Sequence, residues 1–424
     1  MNHGSFTSPA SGNDVIRFWM SNDLREWRYA GAQYDSRSDP RWYRVPVTRG
    51  EPGRWDHMYV IRKEDASGYW GYCVGMANGD SGGCGFLESP DGLSWTALPP
   101  PEFDFGDLPV GFFEHSGCAV IKGKYYLIGG TLGYMGSYGY SVFTLVGDSP
   151  RGPFRPDRDA YRLCGSSGQE GVWGNQMLAA MADCDGELLV SQYIYPDAAL
   201  ASVDYTQSRQ NVWLTPIKKA VVDDHGHLRL GYWTNNDRAR GEELAIETTT
   251  TVSAVGDSRP PTDVWAHALL TQEFDFDRGV IIEGALHIDA GAEFGFFKYY
   301  NRPAYCGFVI ESTAAEGRAV LLNAGHPAWR ESLICDLRWD RERIESRVVD
   351  ATGRGCAAVT GIDAGRTQMF RLWIRKGVFE LYVDDLLFQT FPLPASTTGR
   401  VGFIVRNGRG TFERVRAWAM NLSG

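Results

Sequence analysis

Short apolar runs, broken by polar turns, recur along the whole chain. Val15-Ile16-Arg17-Phe18-Trp19-Met20 reads as a strand and is followed by the polar phrase Ser21-Asn22-Asp23-Leu24-Arg25-Glu26-Trp27, which ends on a tryptophan. The phrase returns as Ser89-Pro90-Asp91-Gly92-Leu93-Ser94-Trp95, and in weaker form as Gly147-Asp148-Ser149-Pro150-Arg151-Gly152-Pro153-Phe154. Between these turns lie two-strand units: Met58–Ile61 with Tyr69–Val74, Phe113–Ile121 with Lys124–Gly130, and Met177–Met181 with Glu187–Gln192. In the middle unit the Lys122-Gly123-Lys124 turn makes a hairpin the simplest reading. Each unit runs strand, turn, strand, variable strand, polar turn, aromatic, at a period of roughly 50 to 60 residues, which predicts propeller blades. A β-sandwich would also give short strands, but not this repeated closing phrase.

The repeat fades after Trp213–Lys219, the turn Asp223-Asp224-His225-Gly226-His227 and the strand Leu228–Trp233. Beyond a polar segment comes a second series of strands without the repeat, among them Gly307–Glu311, Phe370–Ile374, Phe379–Val383 and Val401–Val405. Alternating antiparallel strands of this kind predict a β-sandwich. The expected organisation is all-β: a propeller domain over 1–233, a linker with the first sandwich residues over 234–270, and a sandwich over 271–424. No amphipathic helix of any length is apparent.

Composition sharpens the ligand class more than the fold. The 424 residues include 14 Trp, 20 Tyr and 21 Phe alongside 50 Gly, which suits many short strands and offers aromatic faces to flat ligands such as sugars. A formal net charge of -10 without a long basic run argues against nucleic-acid or anionic-membrane partners. The eight cysteines form no C-x-x-C pair, so buried free thiols are expected, with no metal site and no cofactor. His225-Gly226-His227 reads as part of a turn. The amino terminus lacks a charged start and an apolar core, and no apolar segment is long enough to span a bilayer, so cytoplasmic residence is expected.

Carboxylates are depleted in strands and costly to bury, so Glu114, beside Phe112 and Phe113 at the head of a hairpin, stands out. Asp56 and the group Trp173-Gly174-Asn175-Gln176 also stand just before a blade's first strand. Inner strands of a propeller begin around one axial funnel, so these residues converge. Carboxylates converging on one funnel are the residue types that general acid/base work on a bound ligand requires. His57 and His115, each following a site carboxylate, are candidate donors to substrate hydroxyls, and Trp55 and Trp173 are candidate sugar platforms, with core packing the alternative for both tryptophans.

These residues carry a resemblance to the furanosidase clan of glycoside hydrolases, families 32 and 68 with 43 and 62, which share a five-bladed propeller. Family 32, which adds a C-terminal β-sandwich, is closest in architecture. Arg54-Trp55-Asp56-His57 is similar to the clan's Arg-Asp-Pro motif, Glu114 before Lys124-Tyr125-Tyr126-Leu127 is similar to its acid/base glutamate ahead of a Tyr-Tyr-Leu hairpin, and Phe379–Asp385 resembles a sandwich strand of family 32. The resemblance implies hydrolysis of a fructofuranosyl or arabinofuranosyl linkage, with Glu114 as acid/base and Asp56 as transition-state stabiliser. The clan's nucleophile or base precedes the first Ser-x-Asp-Leu-x-x-Trp turn. Here only about twenty residues precede Ser21, so the first blade is short of an inner hairpin and Asp14 is the nearby aspartate for that role. Asp39, in an Asp-Pro phrase, is more simply a turn former. Three alternatives follow: the first blade is truncated in this sequence, a partner chain or second copy covers the open blade edge, or the catalytic blade has been lost. The alternative functions are a non-catalytic carbohydrate-binding propeller and a scaffold for protein partners.

Overall fold

The computed structural model describes residues 2–4, 15–45, 54–79, 83–106, 114–132, 140–157, 159–164, 177–194, 213–255, 263–289, 304–324, 332–341, 343–352, 357, 362–393 and 397–422. Apart from two short 3-10 turns, Ala32–Tyr34 and Thr234–Ala239, the regular structure of these residues is antiparallel strand. No helix among them is long and apolar enough to cross a membrane.

The chain divides into two compact units, one of Met1–Met135, Val142–Tyr161 and Leu178–Asp183, the other of Gly136–Ser141, Arg162–Met177 and Cys184–Gly424. The first unit holds three successive blade-like sheets. In the first, β2 (Val15–Met20) pairs with β1 (Asn2–Gly4), β3 (Arg28–Tyr29) and β4 (Ser36–Arg37). The second is a meander of β5 (Trp55–Arg62), β6 (Tyr69–Gly75), β7 (Cys84–Ser89) and β8 (Thr96–Leu98). The third repeats that meander with β9 (Glu114–Ile121), β10 (Lys124–Leu132), β11 (Tyr140–Gly147) and β12 (Arg155–Pro156). Lys122 and Gly123 both have positive φ (50° and 74°), the conformation a tight hairpin turn demands.

Consecutive sheets pack face to face through two separate cores. Ile16 and Phe18 of the first sheet meet Trp55, Met58, Cys73 and Leu87 of the second, and Tyr72, Cys84 and Phe86 of the second meet Cys118, Tyr125 and Leu127 of the third. Full burial of each such aliphatic or phenylalanine side chain contributes about 1.5–3 kcal/mol of transfer free energy, which is what stacks the blades. The closing phrases repeat atom for atom. Asp23 Oδ1 accepts the Arg25 and Glu26 amides at 2.8 and 2.9 Å, and Asp91 Oδ1 accepts those of Leu93 and Ser94 at 2.8 and 2.7 Å. Trp27 Nε1 donates to the Leu24 carbonyl and Trp95 Nε1 to that of Gly92. The recurring Ser-x-Asp is therefore an Asx turn that brings each outer strand round, with the tryptophan latched onto it.

Strands β13 (Arg162–Cys164) and β14 (Met177–Cys184) follow in the chain, then β15 (Glu187–Ile194), β16 (Trp213–Leu214), β17 (Lys218–Val222) and β18 (Leu228–Tyr232). In the second unit β15 pairs with β17 and β17 with β18. Two sheets form a sandwich. One contains β19 (Arg240–Leu244), β20 (Thr249–Ser253), β22 (Val280–Asp289), β27 (Gln368–Arg375), β28 (Val378–Val383), β29 (Leu386–Pro392) and β31 (Arg409–Met420). The other runs β21 (Trp265–Asp275), β30 (Thr398–Arg406), β23 (Ala304–Thr313), β24 (Glu316–Ala324), β25 (Ser332–Trp339), β26 (Ile344–Thr352). Between them the rings of Phe308 and Phe370 lie 4.8 Å apart and those of Phe403 and Phe412 stack at 4.1 Å.

The units do not divide at the expected residue 233. Gly231 of β18 pairs with Leu386 of β29, and Lys218 of β17 is ion-paired with Glu380 of β28, so β17 and β18 extend a sandwich sheet. The expected linker, 234–270, supplies β19 and β20, both paired with β31, and the start of β21. Lys218 and Glu380 carry opposite charges 162 residues apart, a pairing that patterning along the chain does not reveal. Among the described cysteines all are free, and all but Cys184 are buried.

Candidate active site

β5 and β9 open successive sheets, and each carries an extra residue just after its carboxylate. Asp56 faces Val74 and Tyr59 faces Tyr72, so β5 advances three residues while β6 advances two. His115 faces Gly129 and Gly117 faces Ile128, which leaves one residue over in β9. Bulges of this kind kink a strand and re-aim its side chains, and they are common beside active sites. His57, inside the first bulge, has a φ of 51°, a left-handed conformation that turns its ring back onto Asp56.

The two carboxylates are joined by Arg54. Its Nε and Nη2 donate to Asp56 Oδ2 and Oδ1, both at 3.0 Å, in a bidentate fork, and its Nη1 donates to Glu114 Oε1. His57 Nδ1 lies 2.8 Å from Asp56 Oδ1. Asp56 is 1% exposed, whereas the Glu114 side chain is one-third exposed. Burial works to raise the Asp56 carboxyl, but the His57 and Arg54 hydrogen bonds, with the charges behind them, outweigh it and hold the group below the usual carboxylate range. A single guanidinium thus sits against both negative charges, the sheltered one and the open one.

Beneath this cluster the His115 ring is 2% exposed, 5.4 Å from the Tyr59 ring and 5.7 Å from that of Tyr72. Neither ring nitrogen has a hydrogen-bond partner among the described residues, and burial pushes the imidazole down to about 3, so it is neutral at neutral pH. Burial, with the Glu114 charge nearby, pushes the Tyr59 phenol up to about 12.

The expected site residues therefore fall into three groups. Asp56, His57 and Glu114 come together. Trp55 and His115 differ from the roles of platform and substrate donor. Trp55 is fully buried 4.8 Å from the Tyr43 ring, and its indole donates to Ser36 Oγ at 3.2 Å. A Cβ on Gly85 would come within 2.5 Å of the Trp55 ring, so that glycine is what lets the indole lie against β7. Both side chains point into packing because strand alternation turns them away from the face that Asp56 and Glu114 use. Asp14, Trp173, Asn175 and Gln176 lie outside the described residues. Asp39 is the turn former expected of it: its carboxylate accepts the Arg41 amide at 2.9 Å and ion-pairs with the Arg41 side chain. In the His225-Gly226-His227 turn, Asp223 Oδ1 accepts the backbone amides of both histidines at 2.9 Å.

Arg54 joins the site although nothing in the sequence assigns it a role beyond standing in the same phrase as Asp56. The signal was its position two residues before Asp56, a spacing that puts two side chains on one face of an extended segment.

No protein-family model matches the chain, and no curated protein sequence matches it. Among solved structures it is similar to the GH32 beta-fructofuranosidase of Bombyx mori, at 12% identity over 96% of this chain and 72% of that one, with a TM-score of 0.54. It is likewise similar to an exo-inulinase from Aspergillus awamori, at 11% identity over 100% of this chain and 78% of that one, with a TM-score of 0.56. At such identities the likeness is one of fold, and the fold is that of family 32, a propeller with a β-sandwich.

Proposed function

We propose that the protein is a glycoside hydrolase acting on a furanoside, a fructofuranosyl or arabinofuranosyl linkage. The observation that carries this reading is the gathering of Asp56 and Glu114 on one guanidinium at the heads of two successive blades' first strands. Asp56, buried behind Arg54 and held ionised, is assigned the stabiliser's part, its negative charge set against the positive charge of an oxocarbenium-like transition state. Glu114, the open carboxylate, is assigned the acid/base step, in which it exchanges Arg54 for the glycosidic oxygen. Asp14 is assigned the role of nucleophile or base. The neighbours named above, a beta-fructofuranosidase and an exo-inulinase, support the choice of furanoside.

The test is Glu114→Gln assayed on an activated furanoside and on its unactivated counterpart. A general acid contributes about 10² to 10⁴ in rate. Turnover of the unactivated substrate should fall by that order, with ligand affinity retained; full activity would sink the assignment. A second reading, a carbohydrate-binding protein without turnover, is favoured by the Arg54 contacts, which occupy both carboxylates at once. It predicts saturable binding of furanosides by the wild-type protein, lost in Asp56→Asn, with no turnover in either.

A further inference from the structure

In the second unit, where β16 and the segment leading into β17 approach β27, β28 and the end of β31, there is a cavity of about 300 Å³. Its walls are mostly apolar, from Leu214, Pro216, Ile217, Val378 and Met420. A 150 Å³ apolar hole holds a benzene ring, so this one has room for a body about twice that size. Two polar features distinguish it from a packing defect.

The first is an acceptor already in use. Glu380 lines the cavity, but its Oε1 takes Lys218 Nζ at 2.5 Å and Thr390 Oγ1 at 3.3 Å, and its Oε2 takes the Tyr382 hydroxyl at 2.7 Å. Lys218 neutralises its charge. The second is a set of unused donors. Arg375 lines the same cavity, partly buried, and its guanidinium has neither an ion pair nor a hydrogen bond among the described residues, its Nε being fully enclosed. The neighbouring Trp373, 6% exposed, has an indole N–H without an acceptor there. An enclosed N–H without an acceptor is costly, and a carboxylate matches the planar fork of the guanidinium that carries it. The wall thus offers one positive charge without a counter-ion among the described residues and spare donors, beside Glu380, already paired, and Asn236, whose Nδ2 donates to the Ile217 carbonyl.

We propose that this cavity binds a small monocarboxylate with an apolar body, aliphatic or aromatic, its carboxylate on Arg375 and its body against Trp373, Val378 and Met420. The site is separate from the carboxylate cluster of the first unit and does not depend on the function assigned to it.

The experiment is calorimetric titration of the full-length protein with hexanoate, with hexan-1-ol as the neutral counterpart of the same length and with fructose as a polyol. Hexanoate should saturate one site, and hexan-1-ol and fructose should bind at least about tenfold more weakly, the worth of one charge-assisted pair. Arg375→Gln should weaken hexanoate by the same factor while leaving hexan-1-ol unchanged. Ala239→Phe, which puts a ring into the cavity from its edge, should abolish both if its unfolding curve matches wild type. Glu114→Gln should bind hexanoate as wild type does. Equal affinity for acid and alcohol, preference for fructose, indifference to Arg375→Gln, or no heat up to about 10 mM hexanoate with folded protein would each overturn the proposal.

Discussion

Arg54 offers the sharpest test of the site's electrostatics, through Arg54→Met, which keeps the stem and removes every donor. Two losses follow from the structure. The arm to Glu114 joins groups that are 21% and 33% exposed, and exposed pairs are worth at most about 1 kcal/mol. The arm to Asp56 is a bidentate pair to a carboxylate 1% exposed, and removing one partner of a buried pair costs about 3–5 kcal/mol. Because Arg54 keeps some solvent contact and His57 remains beside Asp56, the lower end applies, about 3 kcal/mol at pH 7. The sign of the pH dependence is fixed. In the wild type the Asp56 pKa is depressed, so its contribution is present above the unfolded carboxylate value, about 3.9, and is lost as pH falls through the lower folded value. In Arg54→Met burial acts with less opposition, the folded group holds its proton more tightly, and the variant should gain on the wild type as pH falls from 7 to 4. Urea unfolding followed by tryptophan fluorescence, read on the transition of the first unit at both pH values, measures the difference. A loss under about 1 kcal/mol, or one identical at the two pH values, would refute the reasoning.

Two further outcomes follow from buried groups. Lys218→Met should destabilise the second unit by about 3–5 kcal/mol, because Glu380 would be left charged in a site where both side chains are almost wholly buried. Adding Glu380→Gln should recover a large part of that loss, and strict additivity of the two changes in urea unfolding would contradict the pairing. His115→Phe should keep or raise stability, since it replaces two enclosed nitrogens without partners by a ring of similar shape between Tyr59 and Tyr72. The buried imidazole titrates near 3 against about 6.5 unfolded, so between those values the unfolded chain binds the extra proton and wild-type stability falls as pH falls, by about 1.4 kcal/mol per unit. The variant should lose that slope in acid unfolding curves.

The repeating phrases made the blades legible because each combines a local cause with a local effect: Asp23 and Asp91 make their turns within three residues of themselves, and Gly123 its hairpin. The boundary between the units was not legible, because β18 joins β29 through a register, Gly231 with Leu386, that neither segment's pattern specifies. Sheets accept any strand whose apolar face matches, and that choice is made by packing between segments far apart in sequence. Trp55 and His115 illustrate the same limit at the site. A tryptophan or histidine next to a site carboxylate on a strand belongs by alternation to the opposite face, so adjacency in sequence argued for the wrong side.

That inversion bears on what makes the cluster usable. A carboxylate 1% exposed is tolerated in this core only because Arg54 and His57 supply donors from residues two before it and one after it, the latter through a bulge that reverses the ordinary alternation. Glu114, 60 residues away, needs no such shelter, and it reaches the same guanidinium from the neighbouring sheet. Arg54 therefore does two jobs whose energetics differ: it stabilises a buried anion, which concerns folding, and it holds an open one beside the first, which on the function proposed concerns ligands. A replacement that keeps the charge but not the planar fork separates them. In Arg54→Lys the ammonium can neutralise Asp56 but cannot serve Asp56 bidentately and Glu114 at once. Stability should fall by less than in Arg54→Met, while affinity for a furanoside should fall as far as in Arg54→Met. If both quantities instead track each other across the two variants, the guanidinium's geometry has no part in the site and its charge alone accounts for it.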